Sequence, residues 1–201
     1  ITELTFKVFP LPETYRTVVF RFERFEKSHA ALLALGRSQF TLDALDLDPN
    51  GSLVIRLSGQ RASMETRIQA LDSMLGKKHE SLSENDAFWH RSTTLQEYPE
   101  TGWLLKLPSS PTGIADLESK LASHSKQRRY SIGGFVTWIH GEGSIEEFTA
   151  LLESLKLSAQ VVSGDAPNRI IGESLQQVFY DRIKKALDPH RKFNDIYPGS
   201  R

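Results

Sequence analysis

Six histidines, at positions 29, 79, 90, 124, 140 and 190, are the side chains best suited to moving protons or holding a metal. No two stand three or four residues apart, the spacing that aims both at one ion from one helical face, so no metal centre is expected. The chain has no cysteine, which excludes thiolate catalysis, disulfides and iron–sulfur ligation by its own residues. His140-Gly141-Glu142-Gly143 sets an imidazole and a carboxylate near a predicted strand end. No Ser/His/Asp triad follows from spacing, because triads are defined by geometry rather than order. Ser109-Ser110-Pro111-Thr112 opens a predicted helix, where backbone N–H groups could receive an anion; the plainer reading is a capping loop. Lys126-Gln127-Arg128-Arg129-Tyr130 is a basic run before a strand. It reads as a solvated loop, with a carboxylate or partner-protein contact as the sharper alternative. Trp89 beside Phe88 reads as a helix anchor, and Trp138 as a core strand residue.

These residues need a scaffold, and the bulk properties allow one. The 201 residues suffice for one large domain or two small ones, and 39% hydrophobic content is enough for a real core. Lys plus Arg equals Asp plus Glu, at 25 each, so net charge gives no footprint for nucleic acid or anionic membrane. No apolar run approaches the roughly 20 residues a membrane helix needs.

Alternation of apolar and polar residues predicts strands at Leu4–Val8, around "YRTVVFRF" and 42–47, at "SLVIRLSG", 102–108, "RYSIGG", "FVTWIHG" and "AQVVS". Helical spacing predicts helices at 27–36, 61–76, 84–95 and 112–123. Another is opened by a Ser144–Glu147 capping box, and a last one spans 171–187. Asp48-Pro49-Asn50-Gly51 is a strong turn signal. The order β-α-β-β-α occurs over 15–76 and again over 102–155. That is the ferredoxin-like order used twice. The expected fold is therefore α+β, an antiparallel sheet of two ferredoxin-like βαββα repeats with helices on one face. Val19, Val54 and Val136 lie opposite the first apolar face of their strands, so a further layer or domain is expected there, over an exposed apolar patch. Ile171, Leu175, Val178, Phe179 and Ile183 form one stripe on which the last helix should dock. Phe193 and Tyr197 should anchor an extended tail beyond Pro189.

The two ends carry a resemblance. "FYDRIKKALDPHRKFN" resembles the C-terminal signature of FAD-linked oxidases of the vanillyl-alcohol oxidase type, and "ITELTFKVFPLPE" looks like the last strand of that family's FAD-binding domain. Within the family, "SLVIRLSGQRASMETRIQAL", "DAFWHRS", "WLLKLPSSPTGIADL" and "YSIGGFVTWI" are most similar to the FAD-binding E subunit of glycolate oxidase. The family's final "FNPG" reads Phe193-Asn194-Asp195 here, with Pro198-Gly199 displaced, and His140–Gly143 reverses the Gly-Glu-His-Gly motif of catalytic relatives.

The resemblance implies that residues 1–12 are the last strand of a truncated FAD-binding domain and 13–201 a cap, or substrate-side, domain with a flavin-proximal tail. It implies Ile1, Thr2 and Asn194 as cofactor-binding residues and would turn Trp138 toward flavin or substrate. FAD would belong to the full-length protein and not to this segment alone. The implied function is the cap of an FAD-dependent 2-hydroxy-acid (glycolate-type) oxidase or dehydrogenase subunit. The implied partners are the missing flavin domain, other oxidase subunits and a small hydroxy acid. The implied location is the cytoplasm, or the inner-membrane surface through those subunits. The alternative is a non-catalytic ferredoxin-like module for ligand sensing or subunit interaction.

Overall fold

Sequence periodicity becomes a single sheet in the computed structural model, which describes residues 3, 5–6, 8, 10–82, 87–124, 127–173 and 177–193. The first half runs β1 (Thr14–Arg21), α1 (Phe25–Gly36), β2 (Ala44–Leu47), β3 (Ser52–Gly59), α2 (Arg61–Leu75) and β4 (Glu80–Leu82). After α3 (Ala87–Thr94) the second half runs β5 (Trp103–Pro108), α4 (Ile114–Leu121), β6 (Gln127–Ser131), β7 (Val136–Gly141), α5 (Ile145–Ser154) and β8 (Ser158–Ser163). β9 (Ile170–Gly172) and α6 (Gln177–Leu187) follow.

The nine strands lie in the order β4-β1-β3-β2-β6-β7-β5-β8-β9, and every pairing is antiparallel. The two halves meet edge to edge at β2 and β6, where Leu47 stands opposite Tyr130. Pairing at this one position joins the two edges into a single sheet.

Strand pleating sends alternate residues to opposite faces. On one face Val18, Phe20, Leu53, Ile55, Leu57, Leu105, Leu107 and Ile139 join a single core with the apolar stripes of α1, α2, α4 and α5. Full burial of each such side chain is worth about 1.5–3 kcal/mol. Ser144 caps α5, accepting from the Glu147 N–H at 3.3 Å, and Gly76 ends α2 in the left-handed conformation, both at the positions the sequence marks.

Three expectations need correction. Not every helix covers that face: α3 lies on the other. Trp89 Nε1 there donates to Thr17 Oγ1 at 2.7 Å, and the Arg56 guanidinium sits 5.9 Å from the Trp89 ring centre. Val19 and Val54, which do point away from the helical core, are consequently buried inside this chain. Second, Ile171 belongs to β9, paired with Ala159, and not to the last helix. Gly172 ends that strand at φ +88°, where a Cβ would lie 2.3 Å from the Leu157 carbonyl oxygen, a conformation outside the helical region that glycine adopts readily. Third, α6 does not dock through its stripe, for Val178 and Phe179 are about two-thirds exposed and Ile183 is exposed as well. Leu175 of that stripe lies outside the described residues, as does Tyr197.

The described residues between 3 and 12 form no strand, and Phe6, Val8 and Leu11 among them are exposed. Asp188 ties the turn after α6, accepting from the backbone N–H groups of Lys192 and Phe193 and from Lys184 Nζ. The Lys184 contact, with those two amides, holds its carboxyl down to about 2. No helix among the described residues is long and apolar enough to cross a membrane.

Candidate functional site

The face opposite the helical core carries a continuous row of polar and aromatic side chains. Register fixes it: Gln160 stands opposite Lys106, Lys106 opposite Trp138, and Trp138 opposite Arg129. Cross-strand partners on one face lie about 4.5–5.5 Å apart at Cβ. Trp138 is therefore flanked by two cations. Lys106 Nζ is 5.8 Å from its ring centre, within reach of a cation–π attraction. The row crosses the seam through Arg129, whose Nε lies 3.4 Å from Asp46 Oδ2.

Arg129 is buried and fully engaged. It pairs with Asp46 and Glu97, and its Nε donates to Ser131 Oγ at 2.9 Å. Ser131 Oγ in turn donates to Asp46. Burial raises the carboxyl pKa of both Asp46 and Glu97, against the pull of Arg129. Ile132 has φ +55°, unusual for a β-branched residue, and its backbone hydrogen bond to Asp46 accounts for the turn. On the core face of the same strand, Arg128 makes a two-point contact with Glu118, Nε to Oε2 at 3.0 Å and Nη2 to Oε1 at 2.5 Å. Tyr130 Oη also donates to Glu118. Residues 127–130 of the basic run thus belong to a strand, buried from Arg128 onward and with carboxylate partners, and not to a solvated loop; Lys126 lies outside the described residues.

Lys106 differs from the arginines. It is half-buried and no carboxylate among the described residues pairs with it. With Pro108, Phe135, Val136, Ser158, Ala159, Gln160 and Ile170 it lines a cavity of about 280 Å³. Phe135 and Ile132 beside it are exposed. Of the three valines expected under an apolar patch, Val19 and Val54 are buried and Val136 is half-buried beside the exposed Phe135, where no helix among the described residues takes the place of α3. An unneutralised ammonium in a mostly apolar hollow suits a small carboxylate with a short apolar chain.

No protein-family model and no curated protein matches the chain.

Trp138 lies on the open face rather than in the core. His140 is buried at the end of β7, its Nε2 2.8 Å from the Thr101 carbonyl, and its ring stacks on Tyr98. His29 bridges α1 to the start of α4 through the Pro111 carbonyl at 2.6 Å. No group of three His, Asp or Glu side chains able to hold a metal occurs among the described residues. Ile1, Thr2 and Asn194 lie outside the described residues. Lys106 was missed; its signal was available in Trp138, which sits on the alternate positions of β7 with Val136 and His140.

Proposed function

We propose that this chain is the cap part of an FAD-dependent 2-hydroxy-acid oxidase or dehydrogenase, of the vanillyl-alcohol oxidase type and most like a glycolate oxidase E subunit. The observation that carries the reading is the open hollow holding Lys106 over Trp138 with no carboxylate partner. A second layer and an anionic ligand would both be accommodated there. The strand order is compatible with this reading: from its outer edge inward the first half runs 4-1-3-2 and the second, with the additional strand β9 outermost, 5-4-1-3-2, so each contains the order expected of a ferredoxin-like repeat. The exposed Val178, Phe179 and Ile183 stripe suits the flank of a neighbouring flavin domain.

The described residues do not fit the pyrophosphate of FAD. Gly133-Gly134 is the only Gly-Gly pair, and a Cβ on Gly134 would lie 2.4 Å from Ile114 Cδ1, so that loop is packed shut. What does fit is one wall beside a planar ring system, made by Trp138, Val136 and Phe135. The flavin of such enzymes takes the hydride from the carbon bearing the hydroxyl. This chain's part is to hold the substrate carboxylate at Lys106, orient the apolar end toward Val136 and Ile170, and keep water out.

The test is Lys106→Met in the intact protein. A charge-assisted hydrogen bond is worth about 1.5–3 kcal/mol, so KM for a 2-hydroxy acid should rise by roughly 10- to 100-fold. The rate at saturation should be nearly kept, as when uniform binding is removed. An unchanged KM removes Lys106 from the substrate site. A non-catalytic ferredoxin-like ligand-binding module is the second reading, favoured by a polar cleft at the seam.

A further inference from the structure

A cleft of about 570 Å³ opens where the two halves join. Its walls come from four elements: the β2–β3 turn (Asp48, Asn50), the segment after α3 (Glu97, Tyr98), α4 (Glu118) and the start of β6 (Gln127, Arg128, Arg129). Most of its charges are spent on each other, Arg128 on Glu118 and Arg129 on Glu97.

Two charged groups are left over, beside the Tyr98 hydroxyl, which is also buried without a hydrogen-bond partner among the described residues. Arg128 is 8% exposed, and its Nη1 is buried without a hydrogen-bond partner among the described residues. The Asp48 carboxylate accepts no hydrogen bond and makes no ion pair among them. Its turn does not need the side chain: Ser52 N–H is accepted by Asn50 Oδ1 at 2.9 Å, and Gly51 N–H by the Asp48 backbone carbonyl. The unpartnered guanidinium N–H of Arg128 is costly to bury unless a ligand meets it, and the partly accessible Asp48 carboxylate lines the same cleft with the opposite charge.

From this pair of unmatched groups we infer that the seam cleft binds a small zwitterion of the α-amino-acid type, its carboxylate on Arg128 Nη1 and its ammonium on Asp48. A simple anion would meet Asp48, Glu97 and Glu118. A simple cation or a divalent metal would meet Arg128 and Arg129, whose pairing already occupies Glu118 and Glu97. A molecule carrying both charges is the one the lining suits. The inference does not depend on the flavin reading, because the cleft sits at the seam and not at the Lys106 hollow.

The affinity should depend on pH. Asp48 is pushed up to about 6 by burial, against Arg129, with Asp46 and Glu97 raising it further and Arg21 opposing. An ammonium needs the ionised form, so binding should weaken as pH falls through that value.

Calorimetric titration of the folded chain with the individual proteinogenic amino acids tests the proposal, with acetate and methylamine as single-charge controls. At neutral pH one or more amino acids should bind saturably and neither control should. Asp48→Asn, which keeps the side-chain shape and relieves a desolvated charge, should weaken binding by about tenfold or more, the equivalent of one charged hydrogen bond. Arg128→Lys, which keeps the charge facing Glu118, should weaken it too. The proposal is overturned if no amino acid binds at millimolar concentration. Acetate binding as well as the amino acids, or Asp48→Asn binding like the parent, overturns it equally.

Discussion

Arg129→Met should destabilise the folded chain by about 3–5 kcal/mol at neutral pH, the usual consequence of removing one member of a buried ion network. Domains have only about 5–15 kcal/mol in total, so the melting temperature should fall by roughly 6–20 °C. The reason is what remains. Asp46, 4% exposed, and Glu97 would keep their charges with no cation between them. Both carboxyls are already raised by burial with Arg129 present, and without it they rise further. In the variant the folded state then binds protons that the unfolded chain does not, so stability should recover as pH is lowered through that raised range. Denaturant melts of the variant across pH measure this. A second arm separates charge from shape. Adding Asp46→Leu and Glu97→Met to Arg129→Met should restore most of the loss, as apolar replacement of buried ionic groups does elsewhere. A single variant as stable as the parent at neutral pH would mean that the seam is held by its backbone pairing and core alone.

Asp48→Asn should act in the opposite direction and stabilise the chain near neutral pH by up to about 2–3 kcal/mol, since a shift of one pKa unit corresponds to about 1.4 kcal/mol. The sign follows from the proton balance. Asp48 titrates near 6 in the folded chain and from 3.8 in its ordinary state, so ionising it weakens the fold as pH rises between those values. The asparagine has no such penalty. Its advantage should be full above pH 6 and vanish toward the lower value, which thermal melts at a series of pH values would display. A neutral effect at all pH values would mean that Asp48 is as well solvated folded as unfolded, and would remove the reason for assigning it a ligand.

Much of the architecture was legible because it rests on local patterns. Val18 and Phe20 alternate with Val19, and Leu53, Ile55 and Leu57 alternate with Val54, so the two sheet faces could be read directly. The Ser144–Glu147 spacing marked the start of α5. Other features depend on contacts that sequence distance conceals. Alternation marks a strand from Arg129 onward, but Arg128 and Arg129, polar on opposite faces, hide its earlier start at Gln127. Their partners Glu118, Asp46 and Glu97 come from another helix, the other half and a loop. Helical spacing around Trp89 predicts α3 but cannot say which sheet face it covers, and it covers the one left open in the prediction. Ile171 continues the stripe of α6 by spacing alone. Gly172 beside it, at φ +88°, is the local signal that a strand ends there. The Lys106 hollow appears only when β5, β7, β8 and β9 are brought together, while Asp48 was visible merely as a turn residue.

The reading as an oxidase cap rests on the open face being completed by a flavin domain. Anaerobic titration of the intact gene product with 2-hydroxy acids, following its visible absorbance, tests this most directly. The account predicts a yellow protein whose flavin bands are bleached by a hydroxy acid, with Lys106→Met requiring more acid for the same bleaching. An intact protein that carries no flavin, or whose flavin no 2-hydroxy acid reduces, would contradict it.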